Sequence, residues 1–284
     1  GTGSIRNTVS NYSKPGDAVL TADWFWAPYN SIAQEQGRTL ETYELLNKEG
    51  GFNKEAFDAK VNGLLAKQDS LVILLNTPAH NPTGYSLTLS DWDKVIETLS
   101  SAGSDKKITL FVDIAYIDFA GDEEEYRQFL PKLEELPANV LPVLGYSASK
   151  TFTLYGMRCG AMICMAKTAE IAAEFKQVCE FSARATWSNS TRAAQKVIAN
   201  IYEDEKLLAR VNEERKQYRD MLVARGRAFE KSAKEAGLEI VPFDSGFFAS
   251  IPCPNPDEIS RKLEKEGIFI VPLAKGLRVS VASI

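Results

Sequence analysis

Apolar residues fall along the chain in short blocks separated by longer stretches of helical periodicity. AVLTA (18–22), LVILLN (71–76), ITLFVD (108–113), VLPVLGY (140–146) and GAMICMA (160–166) read as strands, several of them too uniformly apolar for a sheet with one face in water. Between them NKEAFDAKVNGLLAKQ (53–68), LSDWDKVIETLSSAG (89–103) and TAEIAAEFKQVCEF (168–181) read as helices. This alternation predicts an α/β fold with a mainly parallel central sheet flanked by helices. From about 191 to 236 the pattern is helical without a break, with Leu207, Val211, Tyr218 and Leu222 at helical steps or their sums. After Gly237 come EIVPF, FFASI, IFIVPL and LRVSVAS, short strands with one helix over 256–267 among them. The expected organisation is a ligand-binding large domain over 1–190, a connecting helix over 191–236, and a smaller α+β C-terminal domain over 237–284. A start on GTGSIRNTVSNY without Met, and an end on the uncovered strand pattern LRVSVASI, are expected of part of a longer protein.

Composition narrows the chemistry. A chain of 284 residues, 44% hydrophobic and 25% charged, can bury a large core in one or two domains. The net charge is −5 and the 33 basic residues are scattered, so nucleic acid is not an expected partner and a small molecule is. No apolar run approaches a membrane span and no signal peptide is visible, which predicts a cytoplasmic protein without a membrane partner. Cys159, Cys164, Cys179 and Cys253 fall at no zinc-like spacing, and no metal site is expected. The single histidine, His80, would have to carry any Ser-His pair or histidine ligation alone, which makes lysine chemistry relatively more attractive.

An open α/β sheet collects its ligand where strand carboxyl ends and helix amino ends converge. LVILLN runs into TPAHNPTG, placing Asn81 in a tight turn; ITLFVD ends on Asp113 with Tyr116 three residues on; VLPVLGY leads to Ser147, Ser149 and Lys150. The first residues, Gly1, Thr2 and Gly3, precede a helix and offer free backbone N–H groups suited to a phosphate. In GYSASKTFTLYGMRCG three jobs fit Lys150: phosphate binding, an ion pair, or a covalent amine.

NTPAHNPTG, VDIAY and SASKTFTLYGMRCG, in that order after the opening GTG, resemble the signature segments of class I aminotransferases, pyridoxal-phosphate enzymes of fold type I. The likeness spans nearly the whole chain, includes the step from Lys150 to Arg158 (158 − 150 = 8), and is nearest to the aspartate/aromatic branch, although that family's amino-terminal arm is absent. The resemblance implies pyridoxal 5′-phosphate held as a Schiff base on Lys150, with Lys150 also shuttling the proton as an amino group moves from an aspartate-like or aromatic L-amino acid to a 2-oxo acid. It implies that Asp113 pairs with the pyridine nitrogen and that Tyr116 and Asn81 bond the phenolic oxygen. Gly1, Thr2, Ser147, Ser149 and Arg158 would hold the phosphate. Trp26, eleven residues before Gly37, would cover the ring, with Trp24 and Phe25 as rivals; Tyr29 stands where the branch has a histidine. Arg278 would grip the substrate α-carboxylate, with Asn81 beside it. A side-chain carboxylate would be read by Arg192 or Lys196 in TWSNSTRAAQK, acting across the two-fold interface of a homodimer with shared sites. The same cofactor site would also serve a lyase or decarboxylase, or a non-catalytic aminotransferase-like regulatory domain.

Overall fold

Four of the five apolar runs become buried strands because both faces of the sheet they build are covered, whereas the fifth, GAMICMA, forms an edge strand that is half-exposed or exposed. The computed structural model describes residues 1–283. Strands β1 (Ala18–Ala22), β2 (Thr39–Tyr43), β3 (Ser70–Asn76), β4 (Lys107–Asp113), β5 (Val140–Ser147) and β6 (Gly160–Cys164) form one sheet in the order β2-β1-β3-β4-β5-β6. The first five are parallel and β6 is an antiparallel edge. In β3 the alternate residues Leu71, Ile73 and Leu75 enter one core, with Val95 and Leu99, while Val72 and Leu74 enter the other, with Ile5 and Val9.

Helices α1 (Thr2–Tyr12), α2 (Pro28–Glu35), α3 (Lys54–Leu65), α4 (Leu89–Ser101), α5 (Phe129–Lys132), α6 (Ala148–Thr151) and α7 (Ala169–Trp187) connect or flank these strands. The start of α4 is fixed by a capping box, Thr88 accepting from Asp91 N (3.1 Å) while Asp91 accepts from Thr88 N (3.1 Å). Strand β2, TLETY, carries no apolar run: it is the sheet's other edge, and its side chains are mostly half-exposed.

The stretch expected as one helix over 191–236 is two, α8 (Arg192–Glu203) and α9 (Glu205–Glu235). Asp204 breaks it, because its carboxylate accepts from the N–H groups of Lys206 and Leu207 and so caps a new helix. The C-terminal unit holds β7 (Phe248–Pro252), α10 (Pro256–Lys265), β8 (Val271–Leu273) and β9 (Gly276–Ser280), an antiparallel sheet in the order β7-β9-β8. EIVPF, expected as a strand, is not one: Val241 is buried in the core of the large sheet and Phe243 in a separate cluster with Leu222 and Val281. Leu273 also packs on the large core, so the C-terminal unit is seated against the parallel sheet.

Candidate active site

Strands β3 and β4 end in register, each on a polar residue. Asn76 on β3 lies beside Asp113 on β4, which lies beside Gly145 on β5. Asn76 Nδ2 donates to the Asp113 carbonyl (2.8 Å), and its Oδ1 accepts from Asn81 N (2.7 Å), which fixes the turn after β3. That turn requires Gly84, whose φ is +77° and whose Cβ, if present, would stand 2.6 Å from the Phe248 carbonyl. Asn81 then bridges two elements: its Nδ2 donates to Tyr116 Oη (3.0 Å), and its Oδ1 accepts from Arg278 Nη1 (3.1 Å) on β9. Asn76 was not singled out from the sequence; its place at the end of an apolar strand, five residues before Asn81, was the available signal.

Asp113 is buried, and among the described residues its carboxylate pairs with no lysine or arginine side chain. Tyr29 Oη donates to Oδ2 (2.8 Å) and Ala115 N to Oδ1 (3.2 Å). Burial raises the Asp113 pKa above the ordinary carboxylate value, against the pull of the Tyr29 hydrogen bond. Burial, with the Asp113 charge beside it, pushes the Tyr29 phenol well above its ordinary pKa, so Tyr29 remains a proton donor across the working range. Tyr29 also meets the Trp26 ring edge-on at 5.6 Å, linking the Asp113 contact to the wall of the cavity.

Lys150 sits on α6 with its ammonium 4.7 Å from the Tyr155 ring centroid and 5.7 Å from that of Tyr116. Its pKa is lowered, first by burial and then by the charges of Arg278 and Arg158. The short helix is braced from behind: Thr151 Oγ1 donates to Asp118, which Arg127 pairs at 2.6 Å, and Arg215 Nε donates to the Thr151 carbonyl (3.1 Å).

Arg158 adopts φ 52°, ψ 50°, a left-handed conformation uncommon outside glycine, and from there its Nη1 reaches Ser149 Oγ (3.3 Å). Opposite stands the first turn of α1, which has neither a side-chain cap nor an acidic residue and so leaves its amide dipoles open to an anion. Gly160 allows this approach, since a Cβ there would lie 2.4 Å from the Tyr146 carbonyl and 2.6 Å from the Gly1 nitrogen.

Gly1, Thr2, Trp26, Asn81, Asp113, Tyr116, Ser147, Ser149, Lys150 and Arg158 thus surround one cavity of about 90 Å³, which shares its Thr2, Ser147, Ser149 and Arg158 wall with a groove of about 820 Å³. Trp26 lines the cavity, whereas Trp24 is buried in the large core. His80 is buried in its turn against Thr83 (2.8 Å), and burial pushes its pKa down to about 4. Arg192 is exposed at the start of α8 and is not brought to the cavity; Lys196 pairs with Glu203 at 3.7 Å.

Fold and site together define an α/β protein with a cavity at the strand ends between a helix amino terminus, a partly buried lysine and a buried carboxylate. The chain matches the family "Aminotransferase class I and II" over residues 1–284 and belongs to it. It is 26% identical over 265 residues to an aromatic-amino-acid aminotransferase of Escherichia coli (strain K12), covering 90% of this chain and 64% of that protein. It is 24% identical to an aspartate aminotransferase of Pseudomonas aeruginosa, covering 100% of this chain and 70% of the relative. The chain therefore spans roughly two thirds of the length of such relatives. A crystal structure of an aminotransferase from Anaerococcus prevotii superposes with TM-score 0.96 at 38% identity, covering 100% of this chain and 69% of the other. An aromatic-amino-acid aminotransferase from Burkholderia pseudomallei, described as covalently bound to pyridoxal phosphate, superposes with TM-score 0.80 at 24% identity, covering 100% of this chain and 68% of the other.

Proposed function

We propose that the chain is the core of a pyridoxal-phosphate-dependent aminotransferase that moves an amino group from an L-amino acid, dicarboxylic or aromatic, to a 2-oxo acid. One observation carries this reading: a lysine with lowered pKa and a buried carboxylate without a cationic side-chain partner line the same cavity. The donor set fits the cofactor. The open first turn of α1, the Thr2, Ser147 and Ser149 hydroxyls and the Arg158 fork match a phosphate dianion. Asp113 suits a protonated ring nitrogen, Tyr116 and Asn81 a phenolic oxygen, and Trp26 a ring face.

The bound cofactor supplies an electron sink for negative charge developing at the substrate α-carbon. The chain's own groups do the rest. Lys150 Nζ would hold the cofactor covalently, and as a free amine of lowered pKa it would be the base that takes the α-proton and returns it. Arg278, held over the Phe248 ring at 4.3 Å, binds the α-carboxylate and so aims the α-proton at Lys150. Asp113 would keep a proton on the ring nitrogen, and Tyr29 holds Asp113 in place through its hydroxyl.

The test is a steady-state assay of the full-length protein with a panel of amino acids and 2-oxoglutarate. Glutamate should form from aspartate and from aromatic amino acids; carbon dioxide release, or no product at all, would overturn the proposal. Tyr29→Phe should weaken cofactor binding about tenfold, the scale of one lost hydrogen bond to a charged group, as measured by titrating the apoprotein with the cofactor. An unchanged affinity would remove Tyr29 from the site.

The proposed assembly is a cytoplasmic homodimer with shared sites. No helix of the described residues is long and apolar enough to cross a membrane. Phe181 on α7 and Tyr155 beside Lys150 are 78% and 65% exposed in the single chain, large apolar side chains that a second copy would cover. From that second copy Arg192 would read a side-chain carboxylate. Arg192→Ala should then cut kcat/KM for aspartate about a hundredfold and spare phenylalanine, since a bidentate guanidinium contact is lost for one substrate alone. Equal losses on both would assign the selection elsewhere.

A further inference from the structure

The C-terminal sheet touches the rim of the large sheet at a second place, away from the cavity. Strands β8 and β9 form a tight hairpin in which Leu273 faces Gly276, leaving Ala274 and Lys275 as the turn. Gly276 is needed there, because a Cβ would fall 2.1 Å from the Ile251 carbonyl on β7. The hairpin is therefore packed closely along β7. At its tip Lys275 Nζ pairs with Asp23 Oδ2 and lies 5.9 Å from the centre of the Trp24 ring.

Asp23 follows β1 directly and is itself held. Its N–H donates to the Tyr43 carbonyl (2.8 Å), and its Oδ1 accepts from Leu45 N (3.0 Å). Its side chain is 15% exposed and that of Lys275 42%, so the pair is only partly screened by water. Beside it, a cleft of about 610 Å³ opens between Asp23, Trp24, Phe25 and Ala27, just after β1, and residues 255–257 and 272–275 of the C-terminal unit. The ion pair spans that cleft. Three residues on from Lys275, within β9 and on the order of 10 Å away at strand spacing, stands Arg278. Its guanidinium touches Asn81 and the Phe248 ring and has no carboxylate partner among the described residues.

We propose that Asp23 and Lys275 form an ionic strut across the cleft whose role is to set the position of Arg278 for carboxylate binding. Both are positioning residues, acting through β9. The inference rests on the reading of Arg278 given under the proposed function and adds the device that places it.

The experiment uses the full-length holoenzyme. Lys275→Met removes the charge and keeps the stem, and Asp23→Asn keeps an oxygen for Leu45 N. Each should raise KM for the amino acid about fivefold, the scale of one partly buried ion pair, with kcat within about twofold. Lys275→Arg should restore KM, and the double variant should be no worse than either single one, as required of two groups acting as a pair. Amide exchange read by mass spectrometry should accelerate over 271–280 in both single variants and stay unchanged in β3 and β4. An unchanged KM, an unchanged hairpin exchange rate, or additive losses in the double variant would overturn the strut. A parent enzyme that transfers no amino group would instead sink the proposed function, while the exchange comparison would still decide whether the pair holds the hairpin.

Discussion

Lys150→Ala should lower amino transfer about ten-thousandfold or more, because in the proposed function one substitution removes both the covalent anchor and the proton-carrying base. The loss is chemical rather than structural. The Lys150 ammonium donates no hydrogen bond and makes no ion pair among the described residues; its contacts are the Tyr155 and Tyr116 ring faces. The braces on α6 come instead from Thr151, through Asp118 and Arg215, and remain in the variant. The proposed phosphate end also remains, since Arg158 is held by Ser149 and the Tyr155 carbonyl and not by the lysine. Cofactor should therefore still bind, more weakly, but borohydride should trap none of it on the protein, as read by intact mass. Removing a cation whose pKa burial already lowers should leave the thermal midpoint of the apoprotein unchanged or raised. An alanine variant that turns over, or one whose cofactor is still trapped covalently, would remove Lys150 from its role.

The parts of this site that a reader of the sequence can see are those set by local pattern. Strands β3 and β4 are legible because both faces are buried, so apolarity, interrupted only by Thr109, runs to Asn76 and Asp113, where it stops. The sequence carries the Asn81 turn in its own Pro and Gly, and the Lys150 segment in its flanking serines. Edge and long-range features are not legible. Strand β2 is half-exposed and so has no apolar block, and EIVPF is apolar because it packs, not because it pairs. The Asp204 break is one acidic residue in a strongly charged helical stretch, where nothing local marks it as a cap. Arg278 reaches Asn81 across 197 positions, and Tyr29 reaches Asp113 across 84. Only the resemblance suggested the role of Arg278. For Tyr29 it offered a departure from the branch pattern, whose meaning lies in the 2.8 Å contact.

Asp113→Asn should slow amino transfer about a thousandfold, the scale of removing one preorganised charge from a buried site, while leaving the cofactor covalently held. The variant separates charge from shape. An asparagine oxygen can still accept from Tyr29 Oη or from Ala115 N, so the end of β4 keeps its geometry. What it cannot do is balance a protonated ring nitrogen, and without that proton the ring is a poorer place for the charge leaving the α-carbon. The apoprotein should respond in the opposite direction. The Asp113 pKa is raised in the fold, so the folded state holds its proton more tightly than the unfolded chain does. Its contribution to stability is present in full below the ordinary value of 3.8, and is lost as pH rises through the raised folded value. Asparagine carries no such penalty. At neutral pH the Asp113→Asn apoprotein should therefore melt at the same temperature as the parent or higher, and its stability should lack the part of the pH dependence that Asp113 contributes. Measured together, a collapsed rate with an unharmed or improved melting temperature places the role of Asp113 in its charge. Equal rates in variant and parent, or a large loss of apoprotein stability at neutral pH, would place it in the structure instead.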